Sequence, residues 1–183
     1  MKIAVYTNIL RVRVLAHRCA EELKSPAVRV CLADGMDDWA QVRAEADLHL
    51  FLWMGTGLDN VFLQNAVRAL QKSRTPYLIV VDNAEHDKVS CGFSEEQIQT
   101  AWAYFRYDGE ENMRNLFLWL GASFGRLSVQ AEPPVPLAWN GIYHPDWAGN
   151  PEDAAGYLAA HCNAERPTVG VIFYRSEWIT GDF

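Results

Sequence analysis

The residues best suited to chemistry lie in two short segments of the last third of the chain. Residues 134–146 read PVPLAWNGIYHPD and residues 166–178 read RPTVGVIFYRSEW. The first sets His144 beside Tyr143, an imidazole that can hold a metal axially or carry a proton near neutral pH. The second sets Arg175 at the end of an apolar run, followed by Glu177 and Trp178. A guanidinium at the carboxyl end of a strand stands where α/β sheets bind ligands, and its fork grips carboxylates. Each residue also has a plainer reading. Arg175 can form a structural ion pair with Glu177 or another acid, and His144 can brace its loop through a backbone hydrogen bond. Trp139, Trp147 and Trp178 suit either stacking on a flat ring or an apolar core.

Elsewhere the chemical signals are thin. Gly55-Thr56-Gly57 follows an apolar run, but no third glycine completes a dinucleotide fingerprint and no Lys-Ser/Thr completes a phosphate loop. Asp82, Glu85, His86 and Asp87 could ligate a metal, although acidic residues on a surface loop are commoner than a site. His17 and His49 sit in regular elements and read as structural. Thr7-Asn8-Ile9 lacks the Ser/Thr/Gly-rich character of a flavin phosphate loop, which argues against a redox domain. Cys19, Cys31, Cys91 and Cys162 are widely spaced, so free thiols in a reducing cytoplasm are expected.

The elements that position these residues follow from hydrophobic periodicity. Apolar runs at 2–6, 28–32, 47–53 and 76–81 read as strands. Helical stripes over 10–24, 38–45 and 59–72 alternate with them, and Thr7-Asn8 offers an N-cap to the first. Ser94-x-x-Gln97 is a capping box for a fourth helix, and Asp108-x-x-Glu111 opens a fifth. Strands alternating with helices predict an α/β fold: a doubly wound, flavodoxin-like parallel sheet over residues 1–125. Strand order is not readable.

Residues 126–139 carry Pro133, Pro134 and Pro136 and read as a linker. Residues 140–183 then read as the truncated start of a second α/β unit. Its helix is capped by Asn150 with Pro151 first and Glu152 and Asp153 complementing the dipole. Its strand spans 168–174, and no crossover helix follows before Phe183.

Composition narrows the function classes. The 183 residues are 50% hydrophobic and 21% charged, which is globular rather than disordered. A net charge of −7 argues against nucleic-acid binding. The six basic residues among the first thirty are read as a solvated helix face or an attraction for an anionic ligand. No apolar stretch is long enough to cross a bilayer and no signal peptide is recognisable, so a cytoplasmic protein is expected.

The two C-terminal segments, in this order and spacing, resemble the large subunit of ATP-dependent cobaltochelatases of the CobN type. That family also includes the porphyrin-binding subunit of magnesium chelatase. The signature is G-[IV]-Y-H-P followed by R-P-x-V-G-[IV]-x-[FY]-x-R-S; residues 107–120 (YDGEENMRNLFLWL) and, more loosely, 47–57 resemble the same family. The resemblance covers most of this chain but only the beginning of the family's longer subunit. It implies a tetrapyrrole substrate, with an AAA+ ATPase subunit and a subunit bearing an integrin-type domain as partners. The complex would use ATP to insert Co2+, or Mg2+, with no cofactor bound by this segment and no catalytic activity expected of it alone. The WNGIYHPD loop and the FYRS-x-W form look closer to the cobalt branch, implying a hydrogenobyrinic-type ring on the route to cobalamin. Under this resemblance Tyr143, His144, Arg175, Glu177 and Trp178 are the candidate ring-binding residues, Arg175 gripping a propionate or acetamide group. One position departs: where the family has His after Arg-Ser, this chain has Glu177. The competing expectation is a non-catalytic α/β module that binds a small molecule or a partner.

Overall fold

The computed structural model describes residues 1–23, 27–32, 39–54, 60–81, 90–137, 140–142, 152–163 and 165–172. They fall into two compact units, Met1–Val135 and Pro136–Phe183.

In the first unit the four apolar runs become β1 (Lys2–Thr7), β2 (Arg29–Leu32), β3 (Leu48–Trp53) and β4 (Tyr77–Val81). They pair in parallel, in the order β2-β1-β3-β4. Every side chain of β3 and β4 is buried, so both faces of the central sheet must be covered. Period-two alternation divides those side chains between two layers. Ala4, Tyr6, Phe51, Trp53, Tyr77 and Ile79 pack under α3 (Val61–Ser73), with Trp39 and Val42 of α2 (Trp39–Glu45) against the same cluster. The opposite face carries α1 (Leu10–Glu22), α4 (Glu95–Tyr107) and α5 (Glu110–Ser123), α5 packing on both others. Each buried Leu or Phe contributes roughly 1.5–3 kcal/mol of transfer free energy. The doubly wound α/β expectation therefore holds, and strand order is the new information.

Local chemistry sets the element ends. Ser94 accepts from Gln97 N–H and the Gln97 side chain from Ser94 N–H, forming the expected capping box. Asn60 caps α3 through Leu63 N–H, and Arg74 ends it in the left-handed region at φ 55°.

Four local expectations need correction. Asp108 does not cap α5; it ends α4 at φ 65°, with Gly109 at φ 86° completing a two-residue turn that favours glycine. Its carboxylate instead accepts from Arg11 Nε and from Gly109 N–H, both at 2.9 Å. At α1 the cap position is Ile9; Thr7 Oγ1 accepts the Ile9 N–H, and Asn8 reaches across to β3. In the second unit α6 (Ala154–His161) begins later than expected, because Asp153 Oδ1 takes the Gly156 N–H. Asn150 and Pro151 lie outside the described residues. Finally, residues 168–172 form no strand and are exposed, Val169 and Ile172 at 84% and 101%. An apolar run becomes a strand only when a neighbour pairs its backbone, and among the described residues none does.

Candidate functional site

Tyr143, His144, Arg175, Glu177 and Trp178 lie outside the described residues, as do Trp139, Trp147, Gly55-Thr56-Gly57 and the Asp82, Glu85, His86, Asp87 group. The described residues do show how the chain is held on its way to the first motif. Residues 131–135 leave α5 without regular structure, yet three polar side chains grip them. Tyr104 Oη donates to Glu132 O at 2.6 Å, and Asn115 Oδ1 accepts from Glu132 N–H at 3.0 Å. Asn112 pairs both ways with Val135, its Nδ2 donating to Val135 O at 2.8 Å and its Oδ1 accepting from Val135 N–H at 2.9 Å. The same Nδ2 donates to Asp108 O at 2.7 Å, so the buried Asn112 side chain is almost fully satisfied. Val135 is nine residues before His144. The clamp is legible only in hindsight: its signal is the polar pair Asn112 and Asn115 within an apolar stripe.

A second feature lies at the carboxyl ends of β1 and β3, where the helical connections change face and open sheets bind ligands. There Asn8 Nδ2 donates to Met54 O at 3.0 Å while its Oδ1 accepts from Met54 N–H at 2.9 Å. Both polar atoms of Asn8 are thus used to tie β1 to β3.

Below that edge the sheet buries a polar pair. Tyr6 Oη lies 3.0 Å from His49 Nδ1, inside a cluster of Trp39, Phe51 and Phe62 rings. His49 is fully buried and, among the described residues, its Nε2 has no hydrogen-bond partner. Burial, reinforced by the Arg43 charge, lowers the His49 pKa from 6.5 to about 4, and burial raises that of Tyr6. Both are neutral at physiological pH. His49 is accordingly structural, as the sequence suggests. His17 is exposed, 3.4 Å from Glu21. Burial, then Glu110 and Glu22, pushes the Cys19 thiol up to about 12, which makes it unreactive. Among the described residues no three His, Cys, Asp or Glu side chains are grouped to hold a metal, and no helix is long and apolar enough to cross a membrane.

Residues 102–183 match the family model described as CobN/Magnesium Chelatase. An uncharacterised protein of Methanocaldococcus jannaschii is 35% identical over 81 residues, 43% of this chain and 7% of that protein. The catalytic subunit of cobaltochelatase from Mycobacterium tuberculosis superposes with a TM-score of 0.68 at 16% identity, over 99% of this chain and 14% of that one. At that identity the likeness is one of fold. The chain thus spans a small part of the proteins it matches. The matched residues 102–183 contain both the GIYHP loop and the RPTVGVIFYRS segment, so this part of the chain is similar to the CobN/magnesium chelatase family.

Proposed function

We propose that this chain is the N-terminal part of the tetrapyrrole-binding large subunit of an ATP-dependent metal chelatase acting in the cytoplasm. The observation that carries the reading is the family match over residues 102–183, which takes in every candidate ring-binding residue. The metal is substrate rather than cofactor, Co2+ entering a hydrogenobyrinic-type ring in this reading, with Mg2+ the alternative. An AAA+ ATPase subunit and an integrin-domain subunit supply the ATP-driven step. This chain contributes binding and orientation. Arg175 forks onto a propionate or acetamide group of the ring, His144 supplies a proton-handling or axial nitrogen, and Tyr143 and Trp178 offer stacking faces. Glu177, where the family usually has histidine, puts an anion in place of an imidazole and favours pairing with Arg175 or the entering cation.

Single substitutions separate these roles. Arg175→Ala is expected to weaken ring binding about tenfold, the loss of one charge-assisted hydrogen bond. His144→Ala is expected to shift the absorbance band of bound Co2+-loaded ring while changing affinity less. Absorbance titration reads both. Unchanged affinity and spectrum in both variants would remove these residues from the site.

A further inference from the structure

Basic residues of the first strand and first helix, which stand out in the sequence, pair with acids in the structure. Arg11 pairs with Asp108, Arg18 with Glu110, and Lys2 with Glu45. A separate group of cations lies elsewhere. An open groove between α2 and α3 is lined by Arg43, Asn65, Arg68, Lys72, Ser73 and Thr75, and among the described residues no aspartate or glutamate lines it. Arg68 and Lys72 are one turn apart on α3 and have no ion pair or hydrogen bond among the described residues. The Arg43 guanidinium is held 5.9 Å from the centroid of the Trp39 ring. At this edge of the sheet the nearby acids are engaged: Glu45 by the Lys2 side chain and Asp47 by the Lys2 N–H at 2.8 Å. In a chain of net charge −7, a groove with three cations and no acid is a local reversal of sign.

Arg43 and Lys72 stand in the last turns of their helices, where a cation offsets the helix dipole. That accounts for two of the three. Arg68 lies a turn earlier, and an ordinary solvated face would interleave acids with these bases. We propose that this α2–α3 groove is a docking surface for an acidic segment of a partner protein. Carboxylates one helical turn apart on that segment match Arg68 and Lys72, with Arg43 engaging a third from the facing helix. The openness of the groove favours a macromolecular surface, since small-molecule sites are concave and enclose their ligand. The inference concerns the Met1–Val135 unit alone and stands whether or not the tetrapyrrole reading does.

The test uses the 183-residue chain and a fluorescein-labelled helical peptide carrying glutamates at i, i+4 and i+8, followed by anisotropy. Saturable binding that weakens with salt is expected. The Arg68→Glu/Lys72→Glu variant should lower affinity about tenfold or more, while the charge-matched Arg29→Glu/Arg166→Glu variant stays within about twofold. If the first variant loses its fold by circular dichroism, Arg68→Gln/Lys72→Gln replaces it, with a loss of about fivefold expected. No saturable binding, or equal loss in the charge-matched variant, overturns the proposal. So does inorganic pyrophosphate that displaces the peptide at equimolar concentration, which would mark a small-anion site instead.

Discussion

Acidification from pH 7 to 4 is expected to remove on the order of 3 kcal/mol of stability through His49 alone. The imidazole titrates near 6.5 in the unfolded chain and near 4 in the fold. Because its folded pKa is depressed, the unfolded state takes up a proton first. The stabilisation is complete above about pH 6.5 and falls away as the pH drops toward 4. About 2.5 pH units of separation at about 1.4 kcal/mol each set the size. Burial is the main cause, since a protonated His49 would carry its charge into a cluster of aromatic rings with Nε2–H unpaired and Arg43 nearby. Carboxylates also titrate in this range, so the decisive quantity is a difference. His49→Phe should flatten the dependence of urea-unfolding free energy between pH 6.5 and 4 relative to the parent chain. It should also cost about 1–2 kcal/mol at pH 7, because Tyr6 Oη loses its partner. Adding Tyr6→Phe should recover most of that cost, since removing both members of a buried polar pair is far less damaging than removing one. Parallel pH profiles for the parent and His49→Phe would show that His49 is not buried as described.

The second large effect is expected at Asn112. Asn112→Ala leaves Asp108 O and both backbone groups of Val135 without their side-chain partners, costing about 2–3 kcal/mol. Asn112→Asp is the sharper substitution. Its carboxylate still accepts from Val135 N–H, but its second oxygen then faces two carbonyl oxygens where an amide donated. The loss should equal or exceed that of alanine, although the shape is unchanged. Hydrogen exchange localises the effect: the Val135 amide, protected by Asn112, should exchange far faster in Asn112→Ala, whereas Asn112→Asp keeps that acceptor. Unchanged Val135 protection in Asn112→Ala would mean that residues 131–135 are held by something other than the clamp.

The fold was legible where periodicity alone decides. Four apolar runs and the helical patterns around them led to the four strands and five helices found among the described residues of the first unit, with the Ser94–Gln97 box in place. It was not legible where a residue has two uses. Asp108 has the spacing of a cap, but its carboxylate is taken by Arg11, a partner 97 positions away that no local pattern reveals. Asp153 is read from sequence as complementing the helix dipole, yet its side chain caps α6, a use that spacing alone does not reveal. The run 168–174 is apolar like a buried strand, yet strand formation depends on a neighbour that sequence spacing cannot supply. Strand order reflects non-local pairing and was unreadable for the same reason. The candidate site shows the reverse balance. Its residues were found by motif order and spacing, and Tyr143, His144, Arg175, Glu177 and Trp178 all lie outside the described residues.

The most direct test of the tetrapyrrole reading is a binding titration of the purified chain with hydrogenobyrinic acid diamide and, separately, with a porphyrin. Tryptophan quenching reports it, with free tryptophan as inner-filter control; the chain holds seven tryptophans, three of them within or beside the C-terminal motifs at Trp139, Trp147 and Trp178. The account predicts saturable quenching at micromolar ring, stronger for the hydrogenobyrinic compound. Quenching no greater than the free-tryptophan control with either ring would contradict it and remove ring binding from these 183 residues.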